Sequence, residues 1–372
     1  MLNKFINKGG KKLRYGYTTG SCATAAAKAA TKMLLTQKPL KTVLIDTPKG
    51  WRLELNIHDI EISKDFVSCS VIKDSGDDPD ITNGIKVFAT VSLNESLKII
   101  GGKGVGVVTK KGLSVAVGEP AINPVPRQMI INEVSKVLPE DKAVLIKISV
   151  PRGEQIAQKT FNPNLGIVGG ISIIGTSGIV EPMSQQALKE SLALELNIQV
   201  ESGNKGLVFV PGNYGSSYAL SLNVDNNKII KTSNFIGFIL DKAEEIGLQR
   251  ILIIGHLGKL VKVAGGIFQT HSKYADARME ILAAYCASIG ASSILTNEIL
   301  NCNTTEQAVE LIKDNKLTKV FNILAHKVAN RATQRTHDSL KIECIIFSQG
   351  FGELGRSANA DNLLKEFENA KS

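Results

Sequence analysis

The chain has 372 residues, a length that fits two domains of roughly 100–200 residues each. Hydrophobic residues make up 43% and charged residues 21%, which supplies a core for each domain and excludes disorder as the main state. With 44 Lys and Arg against 35 Asp and Glu the formal charge is +9, compatible with nucleic acid, an acidic membrane or an anionic small molecule as partner. Aromatic residues are only 5% and are not interleaved with basic runs, which argues against a stacking single-strand binder.

Residues 1–165 are predicted to form an α+β domain. The first twelve residues hold no apolar run of signal-peptide length. An Ala-rich helix follows within 16–35, with Thr18, Thr19 and Ser21 as capping candidates. Strands are expected at 42–46, 51–57, 66–73, 84–93 and 105–110, with an acidic turn at 74–80 that composition alone makes solvated. A helix over 127–138 leads to a strand over 143–150, ended by Pro151. The longest uncharged stretch, 160–180, contains five glycines and is expected to form loops and short buried strands, not a membrane span.

Residues 166–372 are predicted to form an α/β domain. Short apolar runs at 206–211, 227–233, 249–255 and 341–347 alternate with helical segments at 184–197, 215–223, 234–247, 275–289, 304–314 and 325–337. This rhythm implies a mostly parallel sheet covered on both faces. Five scattered cysteines, without CxxC pairs, favour neither a disulfide framework nor a zinc site, and a reducing cytoplasm fits best.

In a parallel sheet the ligand lies beyond the carboxyl ends of the strands. Two expected strand ends carry suitable residues. Val210 runs into Pro211, Gly212, Asn213, Tyr214, Gly215 and Ser216, where glycines let backbone N–H groups approach a ligand, or simply form a tight turn. Gly255 is followed by His256, Lys259, Lys262, His271, Ser272, Asp276 and Arg278. Lys259 and Lys262, three apart, share a face on a helix, as a carboxylate grip or as a solvated basic surface. The stretch 18–22 is a candidate anion site or an ordinary cap, and Cys22 is a reactive thiol or a small buried side chain. Residues 101–113 are glycine-rich but lack GxxxxGK[ST], so a glycine hairpin is expected there.

Five long motifs, GYTTGSCATAAAKAA (16–30), KDSGDDPDITNG (73–84), VGEPAINPVPRQMI (117–130), FNPNLGIVGGISIIGTSGIVEPMS (161–184) and IIGHLGKLVKVAGGIFQTHSKYADARMEIL (253–282), together resemble the CbiD family. The resemblance runs in order from about residue 13 to 352; Tyr15 and Ser21 stand where Thr is commoner in the family. It implies an α+β domain similar to a ribosomal protein, joined to a Rossmann-like α/β domain. It also implies methylation of carbon 1 of cobalt-precorrin-5B to give cobalt-precorrin-6A, with S-adenosylmethionine as donor and cobalt only within the tetrapyrrole substrate.

With that activity in view, the strand-end and cap readings above give the expected sites: Gly212, Asn213, Gly215, Ser216 and Gly255 for the cofactor, and Thr18, Thr19, Ser21, Lys259, Lys262 and Arg278 for the substrate. His256 and His271 are the candidates for chemistry, and no protein metal ligand is expected. The partner is a small tetrapyrrole, without nucleic acid or membrane, and a homo-oligomer stays open. The competing expectations are an RNA-binding module using the basic surface, and a nucleotide-dependent kinase using residues 101–106.

Overall fold

The computed structural model describes residues 2–160, 162–163 and 165–369, which form two units, Met1–Gln185 and Gln186–Ser372. Phe161 and Asn164, within the glycine-rich stretch, lie outside the described residues. Among the described residues no helix is long and apolar enough to cross a membrane.

The first unit begins with a basic hairpin of β1 (Phe5–Lys8) and β2 (Lys11–Arg14), turned at Gly9 and Gly10. After β3 (Gly16–Tyr17) comes α1 (Thr19–Thr36), then a hairpin of β4 (Thr42–Asp46) and β5 (Arg52–Asn56). The main strands are β6 (His58–Ile62), β7 (Phe66–Ile72), β8 (Lys86–Asn94) and β9 (Lys98–Gly101). Short β10 (Gly104–Val105) and β11 (Val107–Val108) precede α2 (Pro124–Ser135), β12 (Ala143–Ser149) and α3 (Gly153–Ala157). The unit closes with β13 (Ile167–Val168), β14 (Gly170–Ile171) and β15 (Ile179–Val180).

Its sheet has the order β6-β7-β8-β12-β9, antiparallel except for the β9–β12 pair. Alternation along β7 buries Val67, Cys69 and Val71 against α1, as the sequence pattern predicts. The alanines of α1 permit close approach: the Cys69 thiol donates to the Ala26 carbonyl at 3.3 Å. Burial holds Cys22 and Cys69 as thiols, each pKa pushed up to about 12.

Two expectations differ here. The acidic stretch 74–80 is not merely solvated. Asp74 pairs with Arg14 through two bonds of 2.6 and 2.7 Å, Asp80 pairs with the buried Lys73, and Ser75 is fully buried. Composition registers the charges but not the cations that neutralise them. The glycine-rich 101–106 segment is not a local hairpin either. β10 pairs in parallel with β14, and β11 antiparallel with β13, so the glycines serve a long-range crossing. A Cβ on Gly104 would stand 1.8 Å from the Val150 carbonyl oxygen, and its φ of +74° also favours glycine. These pairings, with β15 against β3, also explain why residues 166–185 belong to the first unit although the sequence rhythm changes near 166.

The second unit comprises α4 (Gln185–Glu201), β16 (Gly206–Val210), α5 (Asn213–Ser221), β17 (Ile229–Lys231), α6 (Ile236–Glu245), β18 (Arg250–His256) and α7 (Leu257–Ala264). Then follow α8 (Arg278–Ser288), α9 (Ser293–Leu300), α10 (Thr305–Asp314), α11 (Lys319–Arg335), β19 (Lys341–Ser348), β20 (Gly352–Arg356) and α12 (Ala360–Lys365). The strand order is β17-β16-β18-β19-β20, parallel except for β20 at one edge.

Strands β16 and β18 are apolar on both faces. Leu207, Phe209, Ile251 and Ile253 enter one core with α6, α7, α8 and α11 residues, while Val208, Val210, Leu252 and Ile254 enter a second core with α5 and α12. This two-sided burial is why these runs read as continuous hydrophobic stretches.

Candidate functional site

The chain leaves β16 and β18, adjacent in the sheet, on opposite sides: β16 neighbours β17 and β18 neighbours β19. Such a reversal opens a crevice at the carboxyl ends of the two strands. Both sequence-predicted ligand segments, 211–216 and 256–278, begin there.

Gly212 has φ +132° and ψ 179°, and no side chain caps α5 behind it. A Cβ on Gly212 would meet only the Lys259 Nζ, at 3.6 Å, so this backbone has room beside it. Gly215 and Gly255 have a different reason to be glycine. A Cβ at Gly215 would press to 3.1 Å on the Ile254 carbonyl oxygen, and one at Gly255 to 2.9 Å on Leu260 and Pro211. Ser216 is nearly buried, while the Asn213 carboxamide oxygen stands 3.5 Å from the Lys231 Nζ.

A cavity of about 340 Å³ lies beside the start of α7. Lys259, Lys262, His271 and Arg278 supply its charged or titratable lining, and Gly258, Asn234, Thr270 and Ser272 the remainder. The structure thus brings together five of the residues that the sequence singled out, Lys259, Lys262, His271, Ser272 and Arg278, although one segment alone supplies them. Lys259 is half-buried, with no hydrogen-bond or ion-pair partner among the described residues. Burial, followed by the neighbouring Lys262, lowers its pKa.

The Lys262 ammonium is differently placed. It is 3% exposed and donates to the carbonyls of Thr270 (3.2 Å) and Ala275 (2.8 Å), with Asp276 at 3.9 Å. It thereby pins the loop between α7 and α8 from beneath. Arg278 forks onto Asp276 with bonds of 2.7 and 2.8 Å, which raises the arginine pKa and lowers that of the carboxylate. Three cations therefore line the cavity, and the carboxylate beside two of them, Asp276, is already bonded. The arrangement suits anionic groups.

His271 is exposed; its Nδ1 accepts from the Lys273 N–H at 3.0 Å, and its ring lies edge-on to Tyr274. His256 caps α7, its Nδ1 accepting from the Gly258 N–H at 3.0 Å while Nε2 meets Glu306 Oε1 at 2.9 Å. Both ring nitrogens are thus engaged inside the fold, unlike those of His271.

Thr18, Thr19 and Ser21, grouped by sequence with the substrate residues, lie in the first unit. Thr18 Oγ1 accepts from the Ser21 N–H at 3.2 Å, Ser21 Oγ donates to the Gly178 carbonyl at 2.6 Å, and Thr19 Oγ1 bonds both backbone groups of Ile174. Their hydroxyls serve the cap and its packing. Sequence reasoning missed Asn234, Gly258, Thr270 and Glu306. Asn234 follows β17 through Ser233, a non-glycine residue at φ +54°, so a third strand end was the available signal.

The fold and cavity define a two-unit mixed α/β protein with a cationic pocket at parallel-strand ends. The family model described as CbiD matches residues 6–182, and that described as CbiD, C-terminal domain, matches residues 269–358. A cobalt-precorrin-5B C(1)-methyltransferase of Alkaliphilus metalliredigens (strain QYMF) is 53% identical, over 98% of this chain and 97% of its own. Proteins of the same name from Thermoanaerobacter sp. (strain X514) and Clostridioides difficile (strain 630) are 54% and 46% identical. These cover 96% and 98% of this chain, and 98% and 100% of theirs. A 1.9 Å crystal structure of the cobalamin biosynthesis protein (cbiD) from Archaeoglobus fulgidus shares 28% identity over 74% of this chain and 87% of that one, with a TM-score of 0.39. The chain belongs to the CbiD family.

Proposed function

We propose that this chain is a methyltransferase acting on carbon 1 of cobalt-precorrin-5B, yielding cobalt-precorrin-6A in cobalamin biosynthesis. The observation that carries this reading is identity near one half, across nearly the whole chain, to relatives named for that reaction. We assign S-adenosylmethionine as the donor; when bound, it supplies an electrophilic methyl group. Its place is the crevice edge formed by Gly212, Asn213, Gly215, Ser216 and Gly255. The open space beside Gly212 and the uncapped start of α5 suit a ligand held by backbone N–H groups. The strand order supports a Rossmann-like assignment for the second unit, and the α+β first unit is assigned to the ribosomal-protein-like group.

The acceptor is a tetrapyrrole that brings its own cobalt and several carboxylates. A cavity of about 340 Å³ is too small to enclose that macrocycle, but it can receive carboxylate arms from its edge. Lys259 is placed to bind such an arm directly, because none of the described residues neutralises it. Arg278 and Lys262 add positive field while shaping the loop that carries His271. His271, with Nε2 open, is the side chain assigned to the reacting end. The ring delivers its own carbon nucleophile, so the protein's work is orientation, with reacting atoms roughly 3–3.5 Å apart, and exclusion of water. A small polyanionic substrate also accounts for the basic charge without nucleic acid, and a cytoplasmic location accords with five buried free thiols.

The test is transfer of a carbon-13 methyl group from labelled S-adenosylmethionine to cobalt-precorrin-5B. A single label at carbon 1, located by NMR after mass spectrometry shows one added methyl, is expected. A folded protein that leaves the acceptor unlabelled, or labels another carbon, would overturn the reading.

A further inference from the structure

Glu306 lies 50 residues from His256 in sequence, at the start of α10. Its Oε1 meets His256 Nε2 at 2.9 Å, and its Oε2 accepts from the buried Ser348 hydroxyl at 2.5 Å. The order is serine, carboxylate, histidine. In a nucleophilic triad the histidine stands in the middle, beside the serine it activates, so this chain of bonds is not one. It performs another task. The His256 Nδ1 must keep its lone pair to accept the Gly258 N–H, and this requires the proton to reside on Nε2. A carboxylate at Nε2 selects that tautomer, as a partner on the far nitrogen does for histidines that bind metals. Ser348 and the first turn of α10 favour the ionised acceptor in return.

We infer that Glu306 is a positioning residue for the acceptor pocket: by holding His256 in the Nε2–H tautomer it fixes the first turn of α7, and with it Gly258 and Lys259 in the pocket wall. Phe347 completes the setting, its ring edge-on to His256 at 5.7 Å and stacked on Tyr218 at 4.2 Å. Without the carboxylate, the alternative Nδ1–H tautomer would face the Gly258 N–H donor to donor, and the first turn would loosen. The inference rests on the proposed function only in using the tetrapyrrole as the probe of the pocket.

Two measurements on the full chain test it. Nitrogen-15 histidine NMR of the wild type, with His256 assigned by its loss in His256→Asn, should show a neutral ring with Nε2–H. The dissociation constant of cobalt-precorrin-5B should rise about three- to tenfold in Glu306→Ala, the range expected for losing a helix cap. It should stay within about twofold in Glu306→Gln, whose amide oxygen still accepts from Nε2–H. Asparagine caps a helix without outside help, so in the His256→Asn background Glu306→Ala should change affinity by less than about twofold.

An Nδ1–H tautomer at His256 in the wild type would overturn the inference. So would equal weakening by Glu306→Ala in both backgrounds, which a purely structural contact would produce. Should Glu306→Ala not fold, the wild-type tautomer and Glu306→Gln decide the matter. Failure of the wild type to bind the tetrapyrrole, with the Nε2–H tautomer intact, would reject the acceptor and leave the relay standing.

Discussion

The starts of α1 and α7 look alike in sequence: each follows a strand and carries glycine and polar residues. Structurally they are opposites. At α1 every hydroxyl singled out from sequence bonds to backbone of the same unit, and the neighbouring Asp74 and Asp80 meet Arg14 and Lys73. At α7 the cap is equally well made, but Lys259 is left half-buried without a partner among the described residues, beside a cavity. What separates a site from a well-packed turn is polarity that the fold leaves unused next to open space. Residue type alone does not reveal this.

The largest effect should come from the packed side of the comparison. Gly104→Val forces a side chain into the Val150 carbonyl at positive φ and should cost about 4 kcal/mol or more. Denaturant unfolding of the first unit measures this. An unchanged midpoint would show that these glycines are not there for close packing.

Next come the two lysines of α7. Lys262→Ala removes two bonds from a buried ammonium and should destabilise the second unit by about 2 kcal/mol. Lys259→Ala should leave the melting temperature unchanged or higher, because it removes a desolvated, unpartnered charge. Equal losses in both variants would erase the distinction between an anchor and a ligand-binding cation.

A smaller effect is expected in acid. Bonding to Arg14 lowers the Asp74 pKa; for Asp80, burial acts upward, but the Lys73 charge and bonds from Lys73 and Thr82 leave it lowered. Folded values below an unfolded value of about 3.9 give stabilisation that is complete above that pH and is lost as pH falls through the folded values. Acid titration of stability below about pH 4 should therefore flatten in Asp74→Asn and Asp80→Asn. A slope identical to wild type would contradict the pairing.

The smallest effect is expected at Cys22, a fully buried thiol. Cys22→Ala should cost about 1 kcal/mol of stability and leave methyl transfer intact. Loss of turnover in the folded variant would give the thiol a chemical part.

Much of this layout was legible in sequence because burial leaves a period. Strand β4 spans 42–46 as expected, the alternation read along β7 buries Val67, Cys69 and Val71, and the parallel strands appear as apolar runs. Thr18 was identifiable as a cap from residue type and position. Strand β20 was not recognised, since Gly352, Glu353, Gly355 and Arg356 carry no strand period and form an edge through pairing with β19. Helix α7 was missed as an element because its eight residues are largely buried and lack a polar face of normal width. The pocket's cations were visible in one segment, whereas the different roles of Lys259 and Lys262 depend on carbonyls of the following loop. Glu306 left no local signal, because its partners come from β18 and β19.

On the proposed function, the Lys259 charge on α7 receives the acceptor's carboxylates. The direct measurement is the dissociation constant of cobalt-precorrin-5B for wild type and Lys259→Ala at low and high ionic strength. Wild-type affinity should fall with salt, and the variant should bind about tenfold more weakly with a shallower salt dependence. Equal affinities with equal salt dependence would contradict it, and the acceptor site would have to be sought elsewhere in the molecule.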